Sequence, residues 1–345
     1  MHNQHRITVP LDLLDEKGHL TEPGYATKLH WRYDRSKIKA GWHRIKEWDY
    51  YYILNENYGI TFTLSDLGYA GLISVVWLDF QRKTYQTVDS LAFLTKGRFN
   101  FPPKSDTGNL VYEDKKIKLS YTITEGKRRI NVECPEFQTE NGDRGLQGEI
   151  ILDQDPNMDT MVIATHWPNK KKKFYYNQKI NCMPADGSIT VGDTVYEFRS
   201  ESSFGGLDWG RGNWTYKNRW FWGSASGLLE GEPFGWNIGY GFSDRTPASE
   251  NMVFYKGVAH KLDQVTFHYD KNDYLKPWKI TSNDGRLEMD FEPLLDRYGK
   301  FNLLFLKSVQ HQVFGHFTGK VVLDDGTILD VNRFLGFAED VYNRL

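Results

Sequence analysis

The chain has little cysteine, almost no net charge and no long apolar run, and each shortage removes a class of explanation. Only Cys134 and Cys182 occur among its 345 residues. Neither belongs to a CxxC pair or a Cys/His cluster, so two buried free thiols in a reducing cytoplasm are expected rather than a disulfide framework. A formal net charge of -2 offers no electrostatic attraction for nucleic acid. No segment approaches the ~18 apolar residues of a membrane span, and the N-terminal MHNQHRITVP lacks the regions of a signal peptide. A cytoplasmic protein with no membrane insertion and no nucleic-acid partner is expected. HExxH and H-x-H patterns are missing, so no metal is expected. No glycine-rich segment lies between a strand and a helix start, so no nucleotide cofactor is expected either. A GxSxG nucleophile elbow is also missing.

What the chain has in abundance is aromatic residues, with 20 Tyr, 21 Phe and 11 Trp. Rings suit a pleated, half-buried surface and rigid cavity walls. Short alternating or apolar runs recur between turn signals: Ile60–Leu67, Leu72–Phe80, Lys118–Ile123, Arg128–Val132, Leu146–Leu152, Arg219–Leu229 and Phe234–Phe242. Asn283-Asp284-Gly285 and Asp324-Asp325-Gly326 read as hairpin turns. The basic run Lys170–Lys173 reads as a solvated turn, and Asp186-Gly187 as a further turn. Helical spacing appears only in Arg333–Leu345, at Phe334, Phe337 and Val341. The expectation is an all-β protein of two lipocalin-like antiparallel barrels or sandwiches with a short C-terminal helix. Roughly twenty strands exceed one small barrel. The division is placed at residue 200, giving an N-terminal barrel with an irregular leading segment (1–200) and a C-terminal barrel (201–345).

The stretch Ser203–Gly227, SFGGLDWGRGNWTYKNRWFWGSASG, concentrates the unusual chemistry. Asp208 lies between glycines and tryptophans, where a dry aromatic wall raises a carboxyl pKa and suits it to donate a proton. Arg211 follows three residues later, and pairing with it would keep Asp208 ionised. The plainer alternative is a glycine-rich loop entering a hairpin, with Asp208 accepting backbone hydrogen bonds. His166 in THWP is a candidate proton shuttle beside Trp167. Trp209, Trp214 and Trp222 are candidate pocket walls. Asn237 and Tyr240 sit on the aromatic run GWNIGYGF, with Asn237 placed to orient a polar group. His311 and His316 are five apart on an expected strand and so face opposite sides, which leaves His316 able to face a pocket without forming a metal site.

The blocks FGGLDWGRGNW (204–214), WFWGSASG (220–227), FGWNIGYGFSD (234–244), KPWKITSNDGRLEMDFEP (276–293) and HQVFGHFTG (311–319) resemble the hallmark blocks of the domain-of-unknown-function 2804 family over nearly the whole chain. LDWGRGNW followed by WFW also resembles, more distantly, the acid–tryptophan block and W-x-W-like strand of carotenoid 1,2-hydratase and AttH-like double-lipocalin proteins. It departs from them where Arg211-Gly212-Asn213 replaces an acid. This resemblance implies a lipophilic pocket and acid-driven chemistry on an olefin or polyene. The function expected is therefore a cofactor-independent hydratase, isomerase or cyclase acting on a small lipophilic, isoprenoid- or polyene-like molecule. Asp208, His166 and Arg211 form its catalytic set. Two rivals stand beside it: a non-enzymatic carrier of a lipophile, and a carbohydrate-active or carbohydrate-binding protein, which would need a second carboxylate such as Glu197, Glu201 or Asp244.

Overall fold

The computed structural model describes residues 4–303 and 306–344, and nearly all its regular structure is β. Among these residues the strands form a 13-stranded and a 9-stranded antiparallel sheet, besides a short parallel pair of Leu11–Asp12 with Trp31–Arg32. The spine of the first sheet runs Thr84–Phe93, Ala70–Asp79, Tyr58–Asp66, Ile45–Leu54, Phe204–Asn213, Lys170–Val191, Arg144–Asp153, Lys127–Gln138, Lys118–Thr124 and Gly108–Glu113. The second runs Val258–Lys261, Met252–Tyr255, Glu232–Tyr240, Lys217–Leu229, Ile328–Arg344, Leu306–Val322, Leu287–Leu303, Trp278–Ser282 and Val265–His268. Each sheet curls around its own apolar core. Between them lie two further clusters that draw rings from both, including Tyr50 and Tyr52 against Trp222, Phe314 and Phe337. The chain passes from one sheet to the other between Asn213 and Lys217, one strand later than the division placed at residue 200.

Three local expectations give way to tertiary structure. The segment expected to end the chain as a helix is part of the 17-residue strand Ile328–Arg344, paired to strands on both sides. Its residues from Leu335 to Val341 are all buried because one face meets the second core and the other meets the first sheet. Burial on both faces erases the two-residue period and leaves a pattern that mimics a helix. The lysines at 170–173 open a 22-residue strand, Lys170–Val191, and Asp186-Gly187 lies inside that strand rather than at a turn. Its first part pairs with Phe204–Asn213 and its last part with Arg144–Asp153 and Thr194–Phe198. A register shift after Ile180, with Cys182 at φ 60°, bends it between the two pairings. Both cysteines are buried and free.

The third revision is the glycine-rich stretch itself, which is no loop but the central strand Phe204–Asn213. Alternate residues Leu207 and Trp209 enter the first core, whereas Gly206, Asp208, Gly210 and Gly212 face the second sheet. Glycine is required there because rings of the neighbouring Ile45–Leu54 strand lie across the backbone. A Cβ on Gly206 would sit 2.5 Å from the Tyr52 ring, and one on Gly210 would fall within the Trp48 ring. From Gly206 to Gly212, Asp208 is thus the one side chain on the junction face. Gly210→Ala must push Trp48 aside, and we expect it to cost about 1–3 kcal/mol. Urea unfolding read by tryptophan fluorescence would show this as a lowered midpoint.

Candidate active site at the junction of the two sheets

The register of the first sheet carries Asp208 across from Lys179, and two residues along the same strand from Lys179 stands Asn177. Lys179 Nζ lies 2.7 Å from Asp208 Oδ2, and Asn177 Nδ2 donates to Asp208 Oδ1 at 2.6 Å. The ammonium also sits 3.7 Å from the centroid of the Trp222 ring on the second sheet. Lys179 therefore has a carboxylate on one side and an aromatic face on another, an arrangement that suits a buried cation.

Opposite Trp222 in the second sheet stands Glu339. It accepts from Gln312 Nε2 at 2.7 Å and, more loosely, from Trp220 Nε1 at 3.4 Å. Gln312 Nε2 also lies 2.8 Å from the Tyr50 hydroxyl of the first sheet, and its own Oε1 accepts from Arg297. Burial pushes the Glu339 carboxyl up to about 7; Lys179 and the Trp220 N–H oppose the rise and the Asp208 charge adds to it. The site thus holds two carboxyl groups in different surroundings, one paired with an ammonium and one dry. Trp48, Tyr175, Trp214, Trp220 and Phe242 build the neighbouring aromatic wall, with Trp48 stacked on Tyr175 and edge-on to Trp214. Two buried polar atoms in this region, Asn177 Oδ1 and Trp214 Nε1, have no hydrogen-bond partner among the described residues.

The residues singled out from sequence divide between this site and other places. Trp222 and Trp214 belong to it. Asn237 supports it from behind, accepting from Trp222 Nε1 at 2.7 Å and donating to the Glu250 carbonyl. Trp167 lies at the rim of the aromatic wall, edge-on to Phe242. Arg211 does not approach Asp208: three residues apart on one strand, they face opposite sides. Arg211 is fully buried in the first core, with Nη1 2.9 Å from Asp49 Oδ1 and its guanidinium 4.0 Å from the Trp209 ring. Trp209 therefore stands behind the strand rather than in the site. His166 is paired with Phe174, on the face turned to the first core, and its Nδ1 bonds the Trp167 carbonyl. Tyr240 is stacked on Phe221 in the second core. His316 is on the junction face but beyond Phe314, bonded to Glu56 at 3.0 Å. Glu197 pairs with Arg199 at the surface. Asp244 caps a turn through the Thr246 N–H.

Sequence reasoning passed over Lys179, Asn177 and Glu339. Lys179 and Asn177 lie on the strand that had been broken into turns, and Glu339 on the segment read as a helix. No local pattern marked them, since Asn177 and Lys179 adjoin the polar Gln178 and Glu339 adjoins Asp340.

Fold and site together describe a double β-sheet protein with an acid–ammonium–acid constellation sealed between its halves. The chain belongs to the domain of unknown function DUF2804 family, whose model matches residues 4–345. In fold it is similar to an AttH candidate from Nitrosomonas europaea, at 14% identity and a TM-score of 0.52 over 86% of this chain and 92% of that one. Kievitone hydratase from Nectria haematococca aligns at 11% identity and a TM-score of 0.49, over 87% of this chain and 88% of that one. No curated protein matches the chain.

Two outcomes test the electrostatics. Removing one member of a buried pair strands the other charge, so Lys179→Met is expected to lose about 3–5 kcal/mol, and the double variant Lys179→Met/Asp208→Leu to recover most of it. Chemical denaturation of both variants checks this; a single variant as stable as wild type would show the pair to be solvated. Because the Glu339 pKa is raised on folding, the folded state holds a proton that the unfolded state releases as pH climbs from the ordinary glutamate range to about 7. Stability from this group is therefore greatest below that window and falls through it, by up to about 3 kcal/mol. Unfolding at pH 5 and pH 8 should show a larger drop for wild type than for Glu339→Gln.

Proposed function

We propose that the chain is a cofactor-independent enzyme that protonates a carbon–carbon double bond of a small lipophilic molecule at the junction site. The observation that carries the reading is Glu339, a carboxyl buried among Trp220, Trp222 and Gln312 and pushed up to about 7. Such a group is only partly ionised at neutral pH and is matched to general acid work there. The proton-donor role assigned to Asp208 from sequence passes to Glu339, because Asp208 already accepts from Asn177 and Lys179.

In this scheme Glu339 gives its proton to one alkene carbon, and the electron pair of the double bond forms the new C–H bond. Positive charge develops on the other carbon against the faces of Trp222 and Trp220, which attract a cation. Water adds to that carbon and passes its surplus proton to Asp208, the more exposed of the two acids, which returns it to solvent. Glu339 regains a proton and the balance is alkene plus water to alcohol. Loss of a neighbouring C–H proton instead gives an isomer, and attack by a second double bond gives a ring. Hydration is the member of this set that the sequence resemblance to carotenoid 1,2-hydratase favours. Asn177 Oδ1 and Trp214 Nε1, both without partners, are suited to hold the water or a polar group of the substrate.

The test is to purify wild type, Asp208→Asn and Glu339→Gln, extract the lipophiles each retains, and return those extracts to each protein in oxygen-18 water. Wild type is expected to add the label, and Glu339→Gln to slow labelling by about 100-fold or more. The wild-type rate should decline as pH rises through about 7, as Glu339 loses its proton. Recovery of one unaltered, unlabelled compound from all three proteins would make the chain a carrier.

A further inference from the structure

The interior of the first sheet holds a cation that the junction site does not use. Arg128, on the Lys127–Gln138 strand, is 2% exposed and makes no ion pair in direct contact among the described residues, the Asp49 carboxylate acting on it only at longer range. Its Nη1 donates to the Ser105 carbonyl at 2.6 Å and to the Tyr51 hydroxyl at 3.3 Å, its Nη2 donates to Gln154 Oε1 at 2.5 Å, and its Nε–H meets nothing. The Tyr51 ring lies edge-on to that of Tyr121 at 4.8 Å, and the buried Tyr121 hydroxyl is likewise without a hydrogen-bond partner among the described residues. Arg211, deeper in the same core, differs in having Asp49 as its counter-charge. A buried guanidinium met only by neutral oxygens is a costly arrangement unless an anion joins it, and unpartnered N–H and O–H groups beside it call for an acceptor.

One of these oxygens, the Ser105 carbonyl, comes from the segment 94–107, which links the Thr84–Phe93 and Gly108–Glu113 strands. This strap turns Phe101 and Ser105 inward and leaves most of its other residues at the surface. The Phe101 ring lies 4.9 Å from the Arg211 guanidinium, the Pro102 carbonyl accepts from Arg211 at 3.0 Å, and Ser105 Oγ donates to Gln178. Around Arg128 the neighbours in register are apolar, Ile123 on one side and Leu152 on the other.

We propose that the interior of the first sheet is a second binding site, for an apolar monocarboxylate, anchored by Arg128 with the Tyr51 and Tyr121 hydroxyls as further donors, and that the 94–107 strap occupies it in the ligand-free state. The Ser105 carbonyl stands where a carboxylate oxygen of the ligand goes, and Phe101 fills the space its chain takes. Binding then lifts Phe101 and Ser105 out of the lumen. The site is separate from the junction site and does not depend on the reaction proposed there.

The test titrates the full chain with cis-parinaric acid, whose fluorescence rises in an apolar site, and in parallel with its methyl ester. Wild type is expected to bind the acid at least about tenfold more tightly than the ester, the effect of one charge-assisted hydrogen-bonded contact. Phe101→Gly should tighten acid binding by relieving competition from the strap. Arg128→Met should weaken it by about tenfold or more while leaving the ester unchanged. Equal affinity for acid and ester, or no binding by wild type and Phe101→Gly alike, would overturn the proposal. Since the acid–ester comparison uses wild type, it decides the matter even if Arg128→Met does not fold.

Discussion

The ammonium of Lys179 is the charge to which the junction between the two sheets answers. Bringing it out of water is unfavourable by several kcal/mol unless it is met on all sides, and the two sheets meet it in different ways. The first supplies the Asp208 carboxylate at 2.7 Å and the second the Trp222 face at 3.7 Å. Once the cation is placed, Asp208 has its counter-charge, and Glu339 is the acid left without one in direct contact. The same ammonium opposes the rise of the Glu339 pKa, but burial outweighs it. Two acids in one dry junction thereby have different surroundings, which is what the proposed one-way proton transfer requires.

Steric permission comes from glycine. Trp48 and Tyr52 lie against the Phe204–Asn213 strand because Gly206 and Gly210 have no Cβ to keep them off. The rings then fill the space between sheets, and from Gly206 to Gly212 Asp208 is the one side chain that this face of the strand sends into it. Further along the junction the sheets are fastened by hydrogen bonds rather than charge: Tyr52 to Ser224 and Ser226, and Asn181 to Ser224 and the Trp236 carbonyl. Packing and polar contacts are thus separated along one interface, with the ionic part at the end nearer the aromatic wall of Trp48, Trp214 and Trp220.

The first sheet repeats the theme of buried charge in its own interior. Arg211 is met by Asp49 and stacked on Trp209, while Arg128 is met by neutral oxygens. Both guanidiniums also hold carbonyls of the 94–107 strap, so a segment with no regular structure is tied to the centre of the sheet by the residues most expensive to leave unpaired.

The sequence by itself determined the β class and most short strands. These depend on local properties: alternation, aromatic content, and Asp-Gly turns such as Asp325-Gly326, where φ is +88° at the glycine. Tertiary structure alone decided that Lys170–Val191 runs unbroken, that 333–344 is strand rather than helix, and that Gly205–Gly212 is the centre of a sheet. In each case burial on two faces, or contact with a ring from another strand, replaced the local pattern. The site divides in the same way. Asp208, Trp214 and Trp222 were legible because they crowd one short stretch. Lys179 and Glu339 come from strands remote in sequence, and the carboxyl of Glu339 is pushed up by burial that only the packed sheets create.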